Sequence, residues 1–163
     1  MAGIKLNLNG FKKMLEEIQA AEGNVETAAE ETLTECAKVV ETELHSACDA
    51  AGVPSSVSNE IGVRIEKSGN RISAKVGWKM GDYDPKNLSA GYKAVFANYG
   101  TARRKVKDTG EHATVGGSWK TLGTDRGEVA GKDFIGKAKE ASGKKVKKIQ
   151  KQKLEEIVEG LKG

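Results

Sequence analysis

The chain has 163 residues, of which 37% are hydrophobic and 31% charged, with two cysteines and a formal net charge of +4. That length suffices for one domain with a real core, while the low hydrophobic content leaves much of its surface to solvent or to partners. No apolar run approaches the about 18 residues of a membrane span, and the opening Met1-Ala2-Gly3-Ile4-Lys5-Leu6 lacks a signal-peptide apolar region, so a reducing cytoplasm without membrane contact is the expected setting.

Charge is unevenly placed. Residues 1–60 hold four Lys against eleven Asp and Glu, and residues 61–163 hold 23 Lys and Arg against twelve. An acidic part joined to a basic part suits head-to-tail contact between copies, and it equally suits a basic surface facing nucleic acid. Composition does not choose between the two.

In chain order, Ile4, Leu6 and Leu8 alternate with polar residues as a short strand at a sheet edge. Asn9-Gly10 turns into a helix carrying Phe11, Met14, Leu15 and Ile18, which Gly23-Asn24 breaks. Val25, Ala28, Ala29, Thr32, Leu33, Cys36, Val39, Val40, Leu44, Ala47, Cys48 and Ala51 then keep helical period, with glutamates mostly off the stripe. This predicts a long amphipathic helix with a narrow seam of small residues, ended by Gly52 and Pro54. Cys36 and Cys48 lie about 18 Å apart on it, too far for a disulfide, and read as reduced core residues. A hairpin with one buried face follows, Ile61, Val63 and Ile65 leading through Ser68-Gly69-Asn70 to Ile72, Ala74, Val76 and Trp78.

After a loop over 80–91 comes a dense aromatic stretch in a chain that is only 5% aromatic. Tyr92, Val95, Phe96 and Tyr99 follow i, i+3, i+4, i+7, which predicts a core-facing turn of helix closed by Gly100. Residues 101–131 have no sustained period, although Val115, Trp119 and Leu122 hint at a hairpin. A stretch this long in a small domain is usually functional or ordered by a partner. From Lys132 a last helix carries Phe134, Ile135, Ala138, Ser142, Val146, Ile149, Leu154, Ile157 and Leu161, with lysines on its other faces and Gly143 as a candidate kink. The fold class is therefore α+β: one domain over 1–163, with a small antiparallel sheet packed by a long amphipathic helix and a C-terminal helix, and a long inserted loop.

Catalytic and cofactor signatures are missing. Gly131 to Lys137 has the spacing of a phosphate-binding loop, but Ala138 stands where Ser or Thr must hold magnesium and no buried strand precedes it, so Gly131 and Gly136 read as loop and helix-start glycines. His45 with Cys48, Glu41 or Asp49 falls short of a zinc ligand set. Two histidines and no convergent acid/base set predict neither an enzyme nor a cofactor or metal site.

Tyr92-Lys93-Ala94-Val95-Phe96-Ala97-Asn98-Tyr99-Gly100-Thr101, followed by a variable loop, Asp133-Phe134-Ile135 and a lysine-rich helix, resembles the tail-completion (neck, or head–tail joining) protein family of long-tailed bacteriophages. That family shows the same order of parts with a "Y-A-x-x-V-E-F-G-T" stretch and "R-P-F-(L/I)". Here Asn98 stands at the usual Glu, Asp133 at the usual Pro, and the loop is longer. The resemblance marks Tyr92, Phe96, Tyr99, Gly100 and Phe134 as motif and core positions. It implies a structural assembly protein whose copies form a ring, commonly a hexamer, that caps the tail tube and docks it to the head connector or head-completion protein. The expected location is the head–tail junction of the virion, after assembly in the host cytoplasm. DNA would pass non-specifically through the lumen, with Lys144, Lys148 and Lys151 as candidates to face it. Arg103, Arg104, Lys105, Trp119 and Arg126 are candidates for the connector or tube interface, and the acidic helix of residues 25–51 would meet the basic C-terminal half between neighbouring subunits. The alternative is a small basic nucleic-acid-binding protein using the Lys137–Lys153 face, by backbone contact alone.

Overall fold

The structure is a computed structural model that describes residues 2–7, 25–68, 71–84, 86–102, 112–115, 118–121 and 128–160. The expected helix over 11–18 lies outside them, as do Arg103, Arg104, Lys105 and Arg126. The elements are β1 (Ala2–Asn7), α1 (Val25–Ala50), α2 (Ser55–Ser58), β2 (Gly62–Ser68), β3 (Arg71–Trp78), α3 (Ala90–Tyr99), β4 (Gly100–Thr101), β5 (His112–Val115), β6 (Ser118–Thr121), β7 (Val129–Ala130) and α4 (Phe134–Gly160). The α+β class expected from the patterning is the one observed.

β3 is the centre of an antiparallel sheet of order β1-β3-β2, with Ile4 and Val63 on either side of Val76. Ala74, Val76 and Trp78 alternate along β3 and are fully buried. α1 covers that face with Ala29, Leu33, Cys36, Ala37, Val40, Leu44 and Cys48. It also packs lengthwise against α4, which contributes Phe134, Ala138, Ser142 and Val146. Serving a sheet and a helix at once widens the buried arc of α1 beyond a narrow seam, which is how Ala37 comes to be fully buried. The Cys36 thiol donates to the Val146 carbonyl at 4.0 Å, across the α1–α4 contact. Gly52, at φ 61, ends α1 by letting Val53 N–H reach back to the Cys48 carbonyl at 2.9 Å. Lys132 Nζ then donates to the Ala51 carbonyl at 2.6 Å, a cation at the negative end of the helix dipole.

In four places the structure adds to or differs from the expected arrangement. Ser55–Ser58 forms a helical turn, and Trp78 Nε1–H donates to its Val57 carbonyl at 2.7 Å. Val63 and Ile65 share the helix-facing side of the sheet but stay half-exposed, because β2 is an edge strand and α1 lies chiefly over β3. Charges of α1 and α4 also pair within the chain, Lys145 with Glu43 and Lys153 with Glu35. Finally, α4 runs unbroken through Gly143.

A Cβ placed on Gly143 meets nothing within 4 Å. Gly143→Ala is therefore expected to stabilise the protein by about 1 kcal/mol, the helix-propensity difference, read as a higher midpoint in urea unfolding.

Candidate interaction site

α3 is amphipathic in the sense opposite to the one its aromatics suggest. Its buried positions are Gly91, Ala94 and Asn98. Phe96 and Tyr99, expected in the core, lie on the outer side, Tyr99 72% and Phe96 37% exposed, with Tyr92 half-buried beside them on the same stripe. The physical reason is close approach: a Cβ on Gly91 would come within 2.8 Å of Met80 Sδ and 2.9 Å of the Lys79 carbonyl oxygen. Only small side chains let the helix come so near, so the small face goes in and the large face stays out. Tyr83 extends the stripe, edge-to-face against Tyr92 with ring centroids 5.2 Å apart. Exposed Val129 lies beyond Tyr99, on the strand paired with β4.

The end of α3 is tied to the start of α4 by hydrogen bonds on one short segment. Lys132 N–H donates to the Ala97 carbonyl at 3.0 Å and Asp133 N–H to the Asn98 carbonyl at 3.0 Å. Asn98 Oδ1 accepts from Ile135 N–H at 2.8 Å, satisfying one of the free donors in the first turn of α4. Asp133 is the only described non-glycine residue at positive φ, 45°. Proline, with φ fixed near −65° and no N–H, fits neither that conformation nor that hydrogen bond. Gly100 caps α3 as expected, its N–H reaching the Phe96 carbonyl, and starts the β4–β7 pair in register with Ala130. This pair closes the base of the 101–131 excursion, and the hinted hairpin is present within it as β5–β6, with Trp119 opposite Thr114. Phe134, expected in the core, is fully buried edge-to-face on Trp78 at 5.9 Å.

Asn98 is 2% exposed, and removing its carboxamide leaves the part-buried Ile135 N–H without this partner. Asn98→Ala is expected to lower unfolding stability by about 1–3 kcal/mol in denaturant titrations.

The lysine face of α4 divides in two. Lys145 and Lys153 bend to the carboxylates of α1, and Lys153, beside Glu156 and Glu35, has its pKa raised. Lys144, Lys148 and Lys151 are exposed, as is Lys147; Lys151 stands 3.6 Å from Glu155, whereas Lys144, Lys147 and Lys148 have no carboxylate partner among the described residues. Between α1 and α4 a shallow groove of about 220 Å³ is lined mostly by alanines, Ala47, Ala50, Ala51, Ala138 and Ala141, together with Ser46, Glu43 and Lys137. Among the described residues no three His, Cys, Asp or Glu side chains are placed to share a metal ion, and no helix is long and apolar enough to cross a membrane.

Burial pushes both thiols, Cys36 and Cys48, up to about 11, with Glu35 and Asp49 adding to the effect. The folded chain thus holds these protons more tightly than the unfolded one. Stability is expected to be unaffected below the ordinary thiol pKa of 9.0 and to fall as pH rises from there towards about 11. At neutral pH a thiol reagent should label neither cysteine until the protein is unfolded, as mass spectrometry would read.

No protein-family model, no curated protein and no solved structure matches this chain.

Proposed function

We propose that the protein is a structural assembly component of the tail-completion, or neck, type, whose copies form a ring that caps a phage tail tube and joins it to the head connector. The observation that carries this reading is the outward aromatic stripe of Tyr92, Phe96 and Tyr99, set beside the β4–β7 base of the long excursion. A clustered apolar surface of this kind marks a place where another protein docks. The resemblance in sequence runs through the same residues: the stripe, Gly100-Thr101, and Phe134 at the head of the lysine helix. In this reading the excursion, with Arg103, Arg104, Lys105, Trp119 and Arg126, reaches the connector or tube, and Lys144, Lys148 and Lys151 face the DNA path.

The test is the mass of the purified protein in solution, alone and then mixed with assembled tail tubes or head connectors. Ring formation on one of these particles, lost in a Phe96→Ser/Tyr99→Ser variant that still folds, supports the proposal. Failure to associate with either particle overturns it, as does unimpaired joining by a chain lacking residues 104–126.

A second reading rests on Lys144, Lys147 and Lys148, which face solvent without a carboxylate partner among the described residues. A nucleic-acid-binding protein using this face would bind duplex DNA with an affinity that falls steeply with salt. Association with neither particle, together with such binding, selects this reading.

A further inference from the structure

β2 forms one edge of the three-stranded sheet among the described residues, while α4 lies along α1 and touches β1 at the other edge. On the β2 side Val63 and Ile65 stay 38% and 37% exposed, although they share the helix-facing side with Val76 and Ala74. The strand reads Gly62-Val63-Arg64-Ile65-Glu66-Lys67-Ser68. Edge strands commonly carry charges that keep a second strand away. Here the charges on the outer face are of opposite sign and placed symmetrically about Ile65. When the strand is laid antiparallel against its own copy with Ile65 at the centre, Arg64 falls opposite Glu66 and Glu66 opposite Arg64. The feature that repels other strands then attracts this one.

We propose that β2 is the docking edge for a second copy of this chain, in a two-fold pair that joins the two sheets into one. In the pair Ile65 meets Ile65 across the axis, and Val63 lies beside the aliphatic stem of Lys67. Arg64, whose side chain is 70% exposed, gains a carboxylate across the strand in addition to Glu66 of its own chain at 3.6 Å. α1 lies chiefly over β3, so the two copies of α1 stand about 14 Å apart, three strand spacings of about 4.8 Å. That exceeds the 8–10 Å of touching helices, so they do not collide. The gap between them is floored by Val63 and Ile65 and flanked by the Lys67–Glu30 pair. The contact uses neither the aromatic stripe of α3 nor the lysine face of α4, and it stands or falls separately from the ring proposal.

The experiment is sedimentation equilibrium of the full chain up to millimolar concentration, with circular dichroism confirming that each variant folds. The native chain should pass from monomer to dimer. Arg64→Glu should weaken the dimer about tenfold or more, because two attractive cross-strand pairs become repulsive ones. Arg64→Glu with Glu66→Arg should restore it, since the swap regenerates the complementary pattern. Ile65→Lys, which sets two ammonium groups side by side on the axis, should abolish it. A native chain that stays monomeric throughout refutes the proposal. A dimer indifferent to Arg64→Glu refutes it too, as does a double variant that dissociates as readily as the single one.

Discussion

Gly100→Ala is expected to cost about 3 kcal/mol or more of unfolding stability and to loosen the start of α4 along with the end of α3. At φ 76° and ψ −168°, Gly100 sits in a backbone region open almost only to glycine, where other residues carry about 1–3 kcal/mol of strain. Its surroundings are also closed: a Cβ there would lie 2.1 Å from the Val129 carbonyl oxygen and 2.6 Å from Gly131 N. The clash cannot be relieved without moving β7 away from β4, and β7 is followed directly by the segment that hydrogen-bonds to Ala97 and Asn98. Hydrogen exchange should therefore show early opening of both the α3 end and the first turn of α4 in this variant. Unchanged protection at Ile135 would show that the two helices are not coupled through this strand pair.

Phe134→Ala should cost about 3–5 kcal/mol, the range for truncating a buried aromatic. The ring is fully buried and meets Trp78 edge-on at an interplanar angle of 79°, while Trp78 is itself held by its bond to Val57. Trp78→Ala should cost a similar amount. The double variant should fall short of the sum, because the second truncation removes contacts the first has already lost. Full additivity, read from denaturant titrations of the four chains, would mean that the two rings stabilise the fold independently.

Periodicity made the frame legible. The apolar positions of α1, the alternation of Ile72, Ala74, Val76 and Trp78, and the lysine-framed stripe of α4 all lie where spacing puts them, because each element buries one clear side. The sense of α3 was not legible in that way. Its aromatics and its small residues occupy opposite sides of the same helix, and hydrophobicity favours burying the aromatics; only the closeness of the Lys79–Met80 backbone decides otherwise. Gly91, Ala94 and Asn98 at i, i+3, i+7 were the available signal, a spacing as regular as that of the aromatics. The inward role of Asn98 was hidden for another reason: a single carboxamide capping a helix that begins 36 residues later leaves no local pattern. The pairing of Glu43 with Lys145 is equally non-local, and the charge asymmetry along the chain did not reveal it.

The contact between α1 and α4 has a consequence for synthesis. The Cys36–Val146 hydrogen bond spans 110 residues, and Phe134, at the head of α4, packs on Trp78 of β3. While the polypeptide emerges from the ribosome, α1 and the sheet can assemble early, but the side of α1 meant for α4 stays wet and sticky until α4 is out. A message truncated before Phe134 would yield a product with that side permanently open, a natural substrate for chaperones and proteases. Folding of this domain is thus completed only by chains translated through α4, which acts as a quality gate on those cut short before it.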